Sequence, residues 1–179
     1  MQQPADKTRD KRFWASFAAC SEQLAETARE PDLPVGWWEW PFLRRAEDLS
    51  ARTPTSAPSD SLAAQNVERV AIGALLVCEK KPHDFTVAIR HRIVVVRELV
   101  EQKGKDYNAG GVSIFEYWPE GTSNIIYEIR KRALRLLSVA RSEQQPQLNE
   151  IAEIGLDIAA FSLFLLAYIQ SEPSSVTPQ

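Results

Sequence analysis

A chain of 179 residues, 44% hydrophobic and 25% charged, has the length of one domain or one domain with an appendage, and enough apolar side chains for a real core. Its net charge of −3 at pH 7 argues against general nucleic-acid affinity. Only two cysteines, Cys20 and Cys78, are present. Each stands among Ala, Leu and Val in a helical pattern, so both read as small core residues and a disulfide framework is not expected. A reducing, cytoplasmic setting fits this usage. The charged N-terminus has no apolar signal core, and the longest apolar stretch, 159–169, is interrupted by Ser162 and too short to span a bilayer. No membrane association is expected.

Glycine is scarce, β-alternation is weak, and the patterns are helical. A first helix is predicted over 13–29, with Phe13, Phe17, Cys20 and Leu24 on one face. Pro31 and Pro34 stop it. Trp37, Trp38 and Trp40 then crowd a short turn, followed by a short helix over 41–51 and a Pro/Ser/Thr-rich linker over 52–61. Ser61 is placed to cap a helix over 61–80, and Asp84 to cap the next, which is predicted to end near Gly104. The core stripe of that helix is Phe85, Ile89, Ile93, Val96 and Val100. A loop with Phe115, Tyr117 and Trp118 precedes a helix over 122–141, whose inward residues are Ile125, Ile129, Ala133, Leu136 and Ala140. The last helix is predicted over 147–170. The expected fold is all-α: a bundle of about four core helices over 61–172, preceded by an N-terminal helical, Trp-rich segment over 1–60 and followed by a disordered tail over 173–179.

At roughly 3.6 residues per turn, Glu150, Glu153 and Asp157 fall on one narrow stripe of the last helix, continued by Phe161, Phe164 and Tyr168. Apolar side chains occupy nearly every other direction. Two arrangements fit. The acids form the helix's solvated face and favour its N-terminal dipole, or the whole helix is central and the acids face a cavity. Buried carboxylates in a cluster stay ionised only beside a cation. Oxygen-only ligands suit Mg²⁺ or Mn²⁺, and no zinc-ligand spacing exists.

The run Lys103-Gly104-Lys105-Asp106-Tyr107-Asn108 supplies two cations, an acid and an aromatic ring just past the predicted helix end. Asp106 is placed to turn toward the acids, and Tyr107 either stacks on a base or packs. Lys103, Lys105, Arg132 and Arg135 are candidates for holding phosphates; Arg132 and Arg135 are one turn apart and able to reach one anion. The basic cluster of Arg130, Lys131, Arg132 and Arg135 is more readily read as a solvated helix face. Glu98 and Glu101 are also one turn apart, but point away from the Ile93 and Val96 stripe.

These elements resemble the nucleotide modification associated domain family, small all-α proteins with a Lys-Asn-x-Asp-Tyr-Gly run. A loop with Phe and Gly, a Lys-x-x-Arg-Leu helix and a Glu-x-x-Asp-x-x-x-Asp-x-x-x-Tyr helix follow. Here residues 103–108 match the first element, Phe115 and Gly121 the loop, and residues 132–136 the third with Arg for Lys. Glu150, Glu153, Asp157 and Phe161 match the fourth, with Glu for Asp and Phe for Tyr. The resemblance covers about 94–168. It implies kinship with MazG-like nucleotide pyrophosphohydrolases, which bind Mg²⁺ on acidic pairs and split nucleoside triphosphates into monophosphate and pyrophosphate. By that resemblance Glu150, Glu153 and Asp157 are catalytic and bind metal with Asp106. Glu101, with Glu98, stands where a further acidic pair belongs. Lys103, Lys105, Tyr107, Arg132 and Arg135 would hold the nucleotide.

Two functions are favoured as expectations over a purely structural helical oligomer: a Mg²⁺-dependent nucleoside triphosphate pyrophosphohydrolase, or a non-catalytic nucleotide-sensing or partner-binding helical protein of a phage or phage-defence system. A homodimer or higher homo-oligomer is expected as well. Phe161, Leu163 and Phe164 do not all fit one bundle core, which leaves some for a second subunit.

Overall fold

The computed structural model describes residues 7–27, 61–75, 84–109, 112–140 and 148–171. The tryptophan-rich turn, the predicted helix over 41–51, the linker, Cys78 and the tail lie outside the described residues. So do the side chains of residues 104–109, which include Lys105, Asp106 and Tyr107.

The fold is all-α. Among the described residues there are α1 (Lys7–Thr27), α2 (Ser61–Leu75), α3 (Phe85–Ala109), α4 (Ile114–Tyr117), α5 (Thr122–Ala140) and α6 (Leu148–Ser171), and no strand. Helix α6 is the centre: α1, α2 and α5 pack along it extensively and α3 more lightly. This accounts for its composition. Ile151, Ile154, Ile158, Leu163, Leu165 and Leu166 are buried on several sides at once, as an all-round apolar helix requires. Its stretch Glu150–Ser171 is long and apolar enough to cross a membrane, so the 159–169 stretch understates the helix; the packing of its neighbours gives the same apolar surface a burial within the chain. Ser162 does not interrupt it. The hydroxyl is fully buried and donates to the Ile158 carbonyl at 2.8 Å, one turn back.

The predicted core stripes are where the periodicity puts them, apart from Phe85 and Ala140, whose side chains lie outside the described residues. Phe13, Phe17, Cys20 and Leu24 of α1 are buried, as are Ile89, Ile93, Val96 and Val100 of α3 and Ile125, Ile129, Ala133 and Leu136 of α5. Asp84 caps α3: its Oδ1 accepts from the Val87 amide at 3.1 Å. The far end of α3 differs from expectation. The helix runs through Gly104 to Ala109, because a single glycine weakens a helix interior by about 1 kcal/mol without ending it. The run 103–108 is therefore the last part of a helix and not the loop beyond it.

Helix α1 shares one hydrophobic core with the later helices. Phe13 is fully buried and its ring meets Trp14, Phe115, Trp118 and Phe164 at 5.2, 5.9, 6.1 and 6.0 Å. Phe17 meets Phe164 at 5.3 Å. The aromatic end of α6, which the sequence assigns in part to a second subunit, is thus covered by α1 and Trp118 of the same chain. Polar ties reinforce the docking. Asp10 Oδ1 accepts from the Ser113 hydroxyl at 2.7 Å and the Ile114 amide at 3.3 Å, at the start of α4. Ser113 and Glu116 form a capping box there, so one helical turn stands where a plain loop is predicted.

Candidate functional site

A cavity of about 480 Å³ lies where α3 and α5 diverge over α6. The two helices make little direct contact, and Trp14 of α1, Ile114 and Tyr117 of α4, and Trp118 also line the cavity. The wall is aromatic: Trp14, Trp118, Phe161 and Phe164, with Tyr117 and Tyr127 toward the rim. Trp118 and Phe164 meet at 5.3 Å, and Phe161 and Phe164 edge to face at 5.8 Å.

Position of Trp118 follows from the turn after α4. Its carbonyl accepts from the Gly121 amide at 2.8 Å, and Gly121 has φ +60°. A Cβ at this glycine would stand 2.6 Å from the Tyr168 hydroxyl oxygen, so both the backbone and the packing call for glycine. Asn124 pins the same turn, accepting from the Glu120 amide at 2.8 Å.

The charged groups gather at one side of the cavity. Lys103 Nζ of α3 and Arg132 Nε of α5 each lie 3.3 Å from Asp157 of α6, one on each carboxylate oxygen. Arg132 Nη1 also pairs with Glu128, one turn earlier on α5, and donates to the Glu128 carbonyl at 3.2 Å. Its guanidinium stands over the Phe161 ring, 4.1 Å from the centroid. Two cations and two carboxylates form a network of zero formal charge, half-buried and open to water.

Of the predicted site residues the structure brings Lys103, Arg132 and Asp157 to one place, with Phe161 beneath them. Four others are elsewhere. Glu150 lies outside the cavity and pairs with Arg135 at 3.1 Å on the surface, so Arg132 and Arg135 diverge and do not converge on one anion. Glu153 is exposed, and so is Glu101 on α3. The stripe from Glu150 to Tyr168 is continuous on α6, but its cover is not. Lys103 and Arg132 reach as far as Asp157, and the turns before it face water. Glu150 and Glu153 thus lie on the outer part of the stripe, and Asp157 alone of the three lines the cavity. Among the described residues no three Asp, Glu, His or Cys side chains converge as a metal site. The cavity itself offers Asp157 and Glu128, two carboxylates, which is the number Mg²⁺ commonly takes together with substrate phosphates and water. Both are engaged by Arg132.

Glu128, Trp14, Trp118 and Asn124 are cavity residues that the motif reading does not single out. For Glu128 a signal exists, the four-residue spacing to Arg132 on one helical face. For Trp14 there is none, because nothing local ties α1 to α5. Compared with protein families, curated proteins and solved structures, the chain finds no match.

Proposed function

We propose that the cleft between α3 and α5 binds a nucleotide, with the base among the aromatic rings and phosphate at Lys103 and Arg132. The observation that supports this reading most is the juxtaposition of an aromatic-walled cavity of about 480 Å³ with two cations from different helices at its edge. A cavity of this size lies within the range of small-ligand sites. Aromatic rings supply stacking surface that tolerates any base, and Arg and Lys supply charge-assisted bonds to phosphate oxygens. Of the two functions expected from sequence, this is the non-catalytic one. It is favoured because Glu150, Glu153 and Glu101 stand outside the cavity, while the two acids inside, Asp157 and Glu128, are already paired with Lys103 and Arg132.

Mg²⁺-dependent pyrophosphohydrolysis is the second reading, supported by Asp157 and Glu128 at the cavity wall and by the family resemblance. Asp157 and Glu128, both paired with Arg132, would hold the metal, which would supply charge neutralisation and water activation for phosphoryl chemistry.

Calorimetric titration of the full chain with a nucleotide panel, run beside a pyrophosphate-release assay with Mg²⁺ or Mn²⁺, separates the two. Binding without turnover supports the first reading. Monophosphate plus pyrophosphate supports the second, and absence of binding across the panel removes both.

A further inference from the structure

We infer that Asp157 is the built-in occupant of an anion seat, displaced from Lys103 and Arg132 when a single phosphate group of the ligand arrives. This rests on the nucleotide reading of the cleft and concerns what fills the seat before the ligand does. The geometry is that of a bound oxyanion. Two oxygens of one carboxylate are each met at 3.3 Å by a different cation, from two helices that otherwise scarcely touch. A phosphate presents the same pair of oxygens with more charge.

Arg132 keeps its place without Asp157. Glu128 holds its Nη1, and the Phe161 ring supports its face at 4.1 Å. Asp157, by contrast, retains about a third of its side-chain exposure and has water to turn into. Ion pairs that remain this exposed are weak, so a charge-assisted phosphate contact is able to replace them. The charge balance selects the ligand. With Asp157 in the seat, Lys103 and Arg132 cancel Asp157 and Glu128; with Asp157 out, one positive charge is in excess. Among nucleotides a monophosphate, at about −1.5 to −2, comes nearest to that excess. A metal-free triphosphate brings more negative charge than two cations can match.

The consequence is opposite in sign to a metal-ligand role for Asp157. Removing a competing anion strengthens phosphate binding, whereas removing a metal ligand weakens it. The test is calorimetric titration of the full chain with the four ribonucleoside 5′-monophosphates in EDTA, for wild type, Asp157→Asn and Asp157→Ala. Both variants are expected to bind about two- to thirtyfold more tightly than wild type, the range for losing two weak ion pairs, one exposed and one half-buried. In the wild-type protein the Asp157 carboxyl carbon resonance is expected to move as the tightest monophosphate saturates. Binding that neither substitution tightens, or a resonance that stays still at saturation, overturns the inference and leaves the nucleotide reading intact. Absence of binding by all three proteins overturns both.

Discussion

The Arg132 guanidinium rests 4.1 Å above the centre of the Phe161 ring, which makes a hydrophobic residue of α6 the support of a charged residue of α5. Phe161 also meets Trp118 at 6.3 Å, so one ring joins the aromatic wall to the charged rim. Cation–π pairs of this kind contribute about 0.5–2 kcal/mol, rising with desolvation. A double-mutant cycle with Phe161→Leu and Arg132→Met is expected to return a coupling energy of that size in urea unfolding. Additive effects within error would show that the contact contributes nothing.

Phe13 belongs to the first part of the chain, yet it is fully buried against Phe115, Trp118 and Phe164. Phe13→Ala is therefore expected to destabilise the fold by about 3–5 kcal/mol, the usual cost of emptying a buried phenylalanine site. Equilibrium denaturation measures it. A loss below about 1 kcal/mol would mean that α1 is not docked on α6.

The fold was legible because helical periodicity is local: apolar residues three and four apart mark a buried face whatever covers it. Asp84 as a cap was legible for the same reason. What covers each face was not. Phe161 and Phe164 read as a surface awaiting a second subunit, but Phe164 is met by Phe13, Trp14 and Phe17, some 150 residues away in sequence, and Phe161 by Trp118. The site was legible as a set of residue types and only in part as a place. Asp157, Lys103 and Arg132 meet, while Glu150 and Glu153 share the stripe of Asp157 and not its surroundings. Angular position on a helix is written in the sequence; the point along its axis where a neighbouring helix stops covering it is a tertiary fact.

Gly121 is held at φ +60° with the Tyr168 hydroxyl oxygen 2.6 Å from where a Cβ would stand. Gly121→Ala has to strain the left-handed backbone and push back Tyr168, whose ring packs on Phe115 at 5.3 Å. A loss of about 1–3 kcal/mol is expected, together with movement of Trp118, since Gly121 donates to its carbonyl. Thermal unfolding checks the first part and the Trp118 indole resonance the second. An unchanged melting temperature with an unmoved indole would show that the turn adapts freely.

Burial pushes the Cys20 thiol up from 9.0 to about 11, helped by the negative charge of Glu68. The folded protein therefore holds the neutral thiol at pH values where the unfolded chain has released the proton. Between about pH 9 and 11 the unfolded state binds fewer protons than the native state, so this group makes stability fall as pH rises, by up to about 1.4 kcal/mol per unit. Below pH 9 both states keep the proton and the effect vanishes. A Cys20→Ala variant is expected to show a flatter decline in unfolding free energy across that window than wild type. The same shift leaves little thiolate at pH 8, so in a Cys78→Ser background Cys20 is expected to react with a disulfide reagent only as fast as the protein opens. Prompt labelling of the native protein, at the rate seen in denaturant, would place the thiol at the surface and contradict its burial on the inner face of α1.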